Sequence, residues 1–350
     1  DMIGPAESIP SISGIASDDR AKVNNATLRN RGWELSVSWN DKLKCGFSYG
    51  VGFNVFNYKA VVTKYNNPEG IIYNNHTGLA ANKGYYEGMD IGEIWGYRAD
   101  DLFLSNREID DYLRNVNLTA FKSNDLWRRG DLKYIDSNGD GRVDGGKGTL
   151  ADHGDLQIIG NTTPKYSFGI NLNLGYKGFE VSTLLQGVAK RDFPISGSNY
   201  MFGGNNYNFK EHLDYFSTEN PNGYLPRLTG WKDDKDFLVN TGYNTTRYLL
   251  NAAYMRMKNL TVAYTFNKKQ LKHIGISNLK VYVTCDNLFT VTKLPKQFDP
   301  ETLNQVNMSA GGDAQNTAPG LTSPMKQNGN GMVYPVSYTH LRAHETLSDL

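Results

Sequence analysis

The dominant signal along the chain is a period of two. Trp33, Leu35, Val37 and Trp39 alternate with Glu34, Ser36, Ser38 and Asn40. Tyr49, Val51, Phe53 and Val55 follow Phe47 and alternate with Ser48, Gly50, Gly52 and Asn54. The same pattern returns over 166–176, 179–183, 260–266 and 279–285. Such alternation predicts β-strands with one apolar face and one face of Gly, Ser, Thr and Asn. Aromatic residues gather at strand ends, as with Trp33 and Trp39, Tyr166 and Tyr176, and Tyr264 and Phe266. Rings at both ends of a roughly ten-residue apolar face fit the two interfaces of a membrane barrel. A soluble β-sandwich yields the same alternation, so the direction of the apolar face separates the two. In a barrel, the ring face from Tyr166 to Tyr176 points away from the rest of the chain.

Connection lengths favour the barrel. Asp41 to Cys45 and Lys177-Gly178 are tight turns. Asn267 to Ser277 is a modest link with a helical turn predicted over 268–273. Between them lie long polar stretches, about Tyr58 to Asn161, Ala189 to Thr245 and Thr290 to Gly331. Short links alternating with long ones match the periplasmic turns and external loops of outer-membrane barrels. Loops of this length are otherwise rare in a compact domain. Within the first, Met89 to Tyr97 suits a strand and Ser105 to Asn115 a capped helix. Whether two membrane strands hide between Tyr85 and Asn161 stays open at this point, and an external segment is favoured.

Composition agrees with that reading and narrows the functional classes. Aromatics make up 12% of the 350 residues, with 22 Tyr, while hydrophobic residues reach only 39%. The mean hydropathy is −0.53. Alternating strands with lipid on one face and water on the other produce such a mixture. The 37 basic and 36 acidic residues leave a net charge of +1, which speaks against a nucleic-acid partner. No run of 18 apolar residues occurs, so no transmembrane helix is expected. Cys45 and Cys285 are far apart and form no metal-type spacing. The chain opens on Asp1 with no signal-like segment and reads as a fragment.

Little of the sequence suggests catalysis. The His residues show no HxxxH or HExxH spacing, and GxSxG and Walker-type motifs are absent. Paired acids such as Asp100 and Asp101 read as solvated loop residues. The sharpest local motif is 136–144, with Asp136, Asn138, Asp140 and Asp144. Oxygen side chains at positions 1, 3 and 5 before a Gly at 6 match the start of a calcium loop. Position 12 is Lys147 instead of a bidentate Glu, so a structural Ca²⁺ stands beside a plain Gly/Asp turn as alternatives. No other cofactor is called for. The loop rings Trp95, Tyr97, Trp127 and Trp231, with Tyr85 and Tyr86, are candidate stacking platforms for a sugar.

Several strings, taken in order, resemble the SusC/RagA family of TonB-dependent outer-membrane transporters of Bacteroidetes. They are Asn30-Arg-Gly-Trp33-Glu-Leu; Tyr85-Tyr-Glu-Gly88 with Gly92-Glu-Ile-Trp-Gly-Tyr97; and Gly130-Asp-Leu-Lys-Tyr134 before the 136–141 string. Further along come Ile158-Ile-Gly-Asn161, Thr163-Pro-Lys-Tyr166, Gln186-Gly-Val and Glu219-Asn-Pro-Asn222. Thr246-Arg-Tyr-Leu249, Tyr254-Met-Arg-Met-Lys-Asn-Leu260 and Asn287-Leu-Phe289 complete the series, over roughly Asp18 to Pro335. The resemblance implies an all-β, 22-strand transmembrane antiparallel barrel with a plug and long extracellular loops. It implies a non-enzymatic role in the bacterial outer membrane, importing glycans or, in some members, peptides. A SusD-like surface lipoprotein would cap the barrel, and the TonB complex would energise it through a plug that these residues do not match. The calcium-like string belongs to the resemblance too, which favours a structural loop.

Residues 1–335 are thus expected to be the C-terminal portion of such a barrel. Residues 336–350 are expected to be a non-native tail. Val336-Ser-Tyr-Thr-His-Leu-Arg-Ala-His-Glu-Thr346 translates bases that resemble a transposase sequencing adapter, lacks alternation, and is not expected to form a closing strand. The alternatives are a secreted glycan-degrading enzyme, which needs a convergent acid pair, or a soluble carbohydrate-binding module, whose apolar faces would pack on each other.

Overall fold

The computed structural model describes residues 2–5, 22–72, 85–99, 101–195, 210–229, 236, 238–272, 276–296, 298–303 and 341–347. Most of the alternating segments form one sheet. Its strands are β1 (Met2–Pro5), β2 (Lys22–Lys42), β3 (Ser48–Tyr65), β8 (Lys165–Tyr176), β9 (Phe179–Lys190), β12 (Tyr254–Thr265), β13 (Leu279–Thr292) and β14 (Leu341–Leu347), hydrogen-bonded in that order. All seven pairings are antiparallel. Three short ribbons lie outside it. They pair β4 (Glu93–Gly96) with β7 (Gln157–Asn161), β5 (Asp101–Leu102) with β6 (Leu132–Lys133), and β10 (Asp192–Pro194) with β11 (Leu249–Asn251).

The tight turns lie where the sequence places them. Tyr176 faces Phe179 across the two-residue loop Lys177-Gly178. Both loop residues have positive φ, 48° and 91°, the pattern of a type I′ hairpin turn, which follows the right-handed strand twist. The 43–47 turn closes with Leu43 N–H donating to the Phe47 carbonyl at 2.8 Å. The 267–277 link carries the short helix α2 (Lys268–Leu271), started by a capping box between Asn267 and Gln270. Its predicted end at His273 lies outside the described residues.

Among the described residues, the long stretch after β3 adds no full strand to the sheet, only a bridge of Asp90 to Val61 with flanking main-chain bonds. β3 pairs directly with β8, Ser48 against Gly175 through Phe56 against Ser167. Instead, 85–161 folds beside the sheet end. It holds helix α1 (Asn106–Leu113), capped by the Ser105 hydroxyl, which accepts from Glu108 N–H. The strand expected over 89–97 is present in shortened form as β4.

The hydrophobic core is not under the sheet. It is built from loop residues, among them Tyr97, Phe103, Leu118, Trp127, Leu132, Tyr134, Phe193, Leu225, Tyr248 and Phe298. The three long connections therefore fold on one another at the end opposite the tight turns. The sheet's apolar face is left uncovered. Trp39 is 64% exposed and Phe179 57%, and Trp33, Val37, Tyr166 and Tyr176 are exposed too. The sandwich alternative required the reverse.

One expectation fails. Leu341–Leu347 does form a strand, paired to β13 from Leu279↔Leu347 to Cys285↔Leu341. Side-chain alternation is not needed for this pairing. β13 presents an open row of backbone donors and acceptors, and such an edge accepts an extended segment through main-chain bonds alone.

Candidate functional site

The uncovered sheet has two chemically distinct faces, and register aligns each into rows. On one face, Asn40, Gly50, Asn173, Ser182, Thr261 and Thr284 stand in succession across β2, β3, β8, β9, β12 and β13. The adjoining row runs Ser38, Gly52, Asn171, Leu184, Asn259 and Asp286. Thr261 and Thr284 hydroxyls meet at 3.0 Å, and Asn259 Nδ2 donates to Asp286 Oδ1 at 2.9 Å. At Gly50 the Asn40 amide oxygen takes up the space of a missing Cβ, so a side chain here would turn the Asn40 amide aside. Near the tight turns this face hollows into a cavity of about 830 Å³, lined by Asn40, Lys42, Ser48, Asn173, Ser182 and Lys280. There Lys280 Nζ pairs with Glu180 at 2.5 Å.

The opposite face is apolar between two aromatic bands. Near the turns, Phe47 lies 6.2 Å from Tyr49 and 6.5 Å from Tyr176, and Phe179, Tyr264 and Phe266 form a second group. At the other end Trp33 lies 6.4 Å from Tyr166. Tyr166 to Tyr176 spans ten residue steps, about 33 Å along the strand, or about 25 Å along a bilayer normal at the usual tilt near 40°. That equals the height of a barrel's apolar band.

Where the wall meets the loops, a bulge between Met257 and Asn259 inserts Lys258 out of register, with Asn287 opposite at φ 52°. Lys258 and buried Arg256 both bind Glu301, at 2.9 and 2.5 Å, and Arg256 Nη2 also donates to Asp299 at 2.8 Å. Arg191 donates to the carbonyls of Thr162, Pro300 and Leu303. Burial lowers its pKa. The two arginines pin 299–303 to the wall.

A second charge network lies inside the loop core. Lys122 Nζ donates to Asp131 Oδ2 at 2.7 Å and to Asp236 Oδ1 at 2.6 Å, and sits 4.6 Å over the Trp127 ring. Arg227 Nε donates to Asp131 Oδ1 at 2.6 Å, and its Nη2 to Asp236. Asn240 Nδ2 adds 2.9 Å to Asp131, while its Oδ1 accepts from Leu132 N–H. Two cations thus face two carboxylates, satisfied on every side. Burial pushes the Asp236 pKa up, but hydrogen bonds from Lys122 and Arg227 outweigh it and hold it below the usual carboxylate range. Burial alone would lower the Arg227 pKa, yet Asp131 and Asp236 raise it. No local pattern announces this network, since its Lys122–Asp236 pair alone spans 114 positions. Asp131 in the 130–134 string is the one local pointer to it.

Of the four candidate stacking rings Trp95, Tyr97, Trp127 and Trp231, two are buried. Tyr97 is 4% exposed and Trp127 3%, both inside the loop core. Tyr97 packs edge-on to Phe121, Tyr134 and Tyr243. Such faces are covered and unable to stack on a ligand. Trp95 is half-buried between Tyr86 and His153, its Nε1 donating to Tyr86 Oη at 3.3 Å. Trp231 lies outside the described residues. Tyr97 and Trp127 are buried because the loops build a core of their own, in which they pack with Phe103, Leu118, Leu132 and Tyr134.

The 136–144 loop turns its oxygens onto backbone amides. Asp136 accepts from Gly139 and Gly141 N–H at 2.7 and 2.8 Å, Asn138 from Asp140, Asp140 from Arg142, and Asp144 from Gly146. Asp155 accepts from Ser137, Asn138 and Asp144 N–H. Its pKa is raised, by burial first and by Asp136 as well, against those amides. Arg142 Nη2 lies 3.8 Å from Asp140 and 3.6 Å from Asp144, and supplies positive charge to the loop. Among the described residues no three His, Cys, Asp or Glu side chains converge as a metal site. The oxygens of the expected ligand set, Asp136, Asn138, Asp140 and Asp144, thus each accept from an amide of their own loop, the bonding of a Gly/Asp turn.

No family model matches the chain. It is similar to TonB-dependent receptor P3 of Formosa agariphila, 24% identical over 296 residues, which cover 84% of this chain and 27% of that receptor. Receptor P26 of the same organism is 24% identical over 305 residues, covering 83% and 27%. Among solved structures, the RagAB peptide transporter aligns with a TM-score of 0.54 and 19% identity over 84% of this chain and 28% of that one. The RagAB peptide importer in its open-open state gives 0.57 and 18% over 87% and 29%. The chain thus spans under a third of the length of the relatives it matches.

Proposed function

We propose, from the premise that this chain is a stretch of a SusC/RagA-type TonB-dependent transporter of the bacterial outer membrane, that it walls a channel for energy-coupled import. The relatives are receptors and transporters, not enzymes. The observation that carries the proposal is the two-faced sheet. An apolar face bounded by aromatic bands suits lipid, and a face of Asn, Ser, Thr and Gly suits a wet lumen. The fold of the loops into one core at the end away from the tight turns supports an external rim there.

In this reading the cargo is a glycan, for which the hydroxyl and amide groups that dominate the lumen rows offer donors and acceptors, with Asp286 and the Lys280–Glu180 pair as the charged positions among them. A peptide cargo is the second reading, favoured by the likeness to the RagAB peptide transporter. A SusD-like lipoprotein lid would sit on the loop core, and TonB would act through parts of the receptor that this stretch does not contain. Residues 1–335 are assigned to the barrel and 336–350 to an adapter-derived tail that takes the open β13 edge; reading the source locus across Val336 tests this. A Ca²⁺ held at 136–144 would have a structural role.

Uptake of fluorescent oligosaccharides and of fluorescent peptides by cells carrying the full-length receptor tests the function. Import of one class that stops when TonB is deleted is expected. Import unaffected by TonB deletion would overturn it.

A further inference from the structure

Beyond the external aromatic band, the lipid-side face of β2 and β3 carries a cluster of cations. Arg31 is directly opposite Lys59, and Arg29 is two residues along β2 from Arg31, opposite Val61. All three side chains share the face that carries Trp33, itself opposite Asn57. Arg31 stands two residues beyond Trp33. That is about 7 Å along the strand and about 5 Å along the bilayer normal, the depth of headgroup phosphates instead of acyl chains.

The arrangement is unfavourable in isolation. Like charges directly opposite across an antiparallel pair place their Cβ atoms about 5 Å apart and destabilise it. The protein offers little compensation. Lys59 Nζ lies 4.0 Å from Asp90 Oδ2 and its side chain stays 63% exposed. Asp90 is shared with Lys165, at 3.7 Å. Arg29 and Arg31 are exposed and make no ion pair among the described residues. Among the described residues the one carboxylate paired with the three cations is Asp90, which reaches Lys59 and is divided with Lys165. An anion with several oxygens removes the repulsion, and guanidinium groups match phosphate with paired N–H donors.

We infer that Arg29, Arg31 and Lys59 form a site for the phosphate of an anionic outer-leaflet lipid. The inference rests on the barrel reading above, which sets which face meets lipid. The site anchors the wall at the external interface, next to the loop core, with Trp33 and Tyr166 beneath it. A cation near an anionic membrane surface strengthens attachment by about five-fold, so three together give about 100-fold.

The full-length receptor and its Arg29→Gln/Arg31→Gln/Lys59→Gln variant would be extracted in mild detergent, delipidated, and placed with vesicles of phosphatidylcholine containing or lacking lipid A. Retained lipid A is expected to fall by one to two orders of magnitude in the triple variant. Arg31→Lys, which keeps the charge but loses the paired N–H donors, should retain more lipid A than the triple variant and less than the wild type. Equal retention in the triple variant would overturn the site. Displacement of lipid A by millimolar inorganic phosphate as readily as by competing lipid A would overturn the lipid assignment and leave a free-anion site. Heat-modifiable gel migration reports the folded barrel separately. Its loss in the triple variant alone moves the comparison to the single Lys59→Gln variant, for which about a five-fold drop is expected and no drop refutes the site. Its absence in the wild type would sink the barrel reading instead.

Discussion

Replacing Lys122 by Met tests whether the buried charge network holds the loop core together. Lys122 has no exposed side-chain surface and donates to two carboxylates, Asp131 at 2.7 Å and Asp236 at 2.6 Å. Met keeps most of the volume against Trp127 and removes the charge. Two carboxylates then share Arg227 as their one cation, and one negative charge is left uncompensated on the buried Asp131 and mostly buried Asp236. Breaking a buried pair in this way costs about 3–5 kcal/mol. Asp131 still receives Arg227 Nε, Asn240 Nδ2 and Arg128 N–H, so the low end, about 3 kcal/mol, is expected. That raises the open population of the loop core roughly 150-fold, since about 1.4 kcal/mol is a factor of ten. Hydrogen exchange on the full-length receptor reads it directly. Amides of 130–134 should lose protection while those of β8 and β9 keep theirs, because the sheet does not share this core. Unchanged protection at 130–134 would refute the reasoning.

Other consequences follow from the same geometry. Ile170→Lys on the lipid side should destabilise assembly by about 2–4 kcal/mol near the bilayer midplane, while Asn171→Lys on the lumen side should cost little; the heat-modifiable fraction in urea measures both. Gly178→Val, at φ 91° with the Thr265 carbonyl in the way of a Cβ, should cost at least about 1–2 kcal/mol and lower the yield of assembled protein. Asp236 has its folded pKa depressed by Lys122 and Arg227 despite burial. Its contribution is therefore present above the unfolded value near 3.9 and lost as pH falls through the lower folded value. Protease nicking of the loops should rise below about pH 4, and that acid-induced rise should be smaller in Lys122→Met.

The sheet was legible in the sequence because its signal is local. Alternation over 166–176 names the strand, its two faces and its bands without any knowledge of neighbours. The Lys177-Gly178 turn and the Ser105 cap are likewise written in adjacent residues. The loop core was not legible. Tyr97 and Trp127 sit in polar stretches, and their burial depends on segments from 193–252 and 294–303 folding back on them. The clamp of Arg256 on Asp299 and Glu301 spans more than forty positions, and the bulge that presents Lys258 beside it breaks the period on which the strand assignment relies. The 136–144 string misled because turn and calcium loop use the same residues. The tail misled because strand pairing at an open edge asks for backbone, not pattern.

The central claim is that one face of this sheet meets lipid and the other water. Single cysteines placed at each position from 166 to 176 of the full-length receptor, in its membrane, would be reacted with a water-soluble maleimide. The account predicts labelling at Asn171 and Asn173 and protection at Ile170, Leu172 and Leu174, a period of two along β8. Uniform labelling of both sets, or the opposite phase, would contradict it.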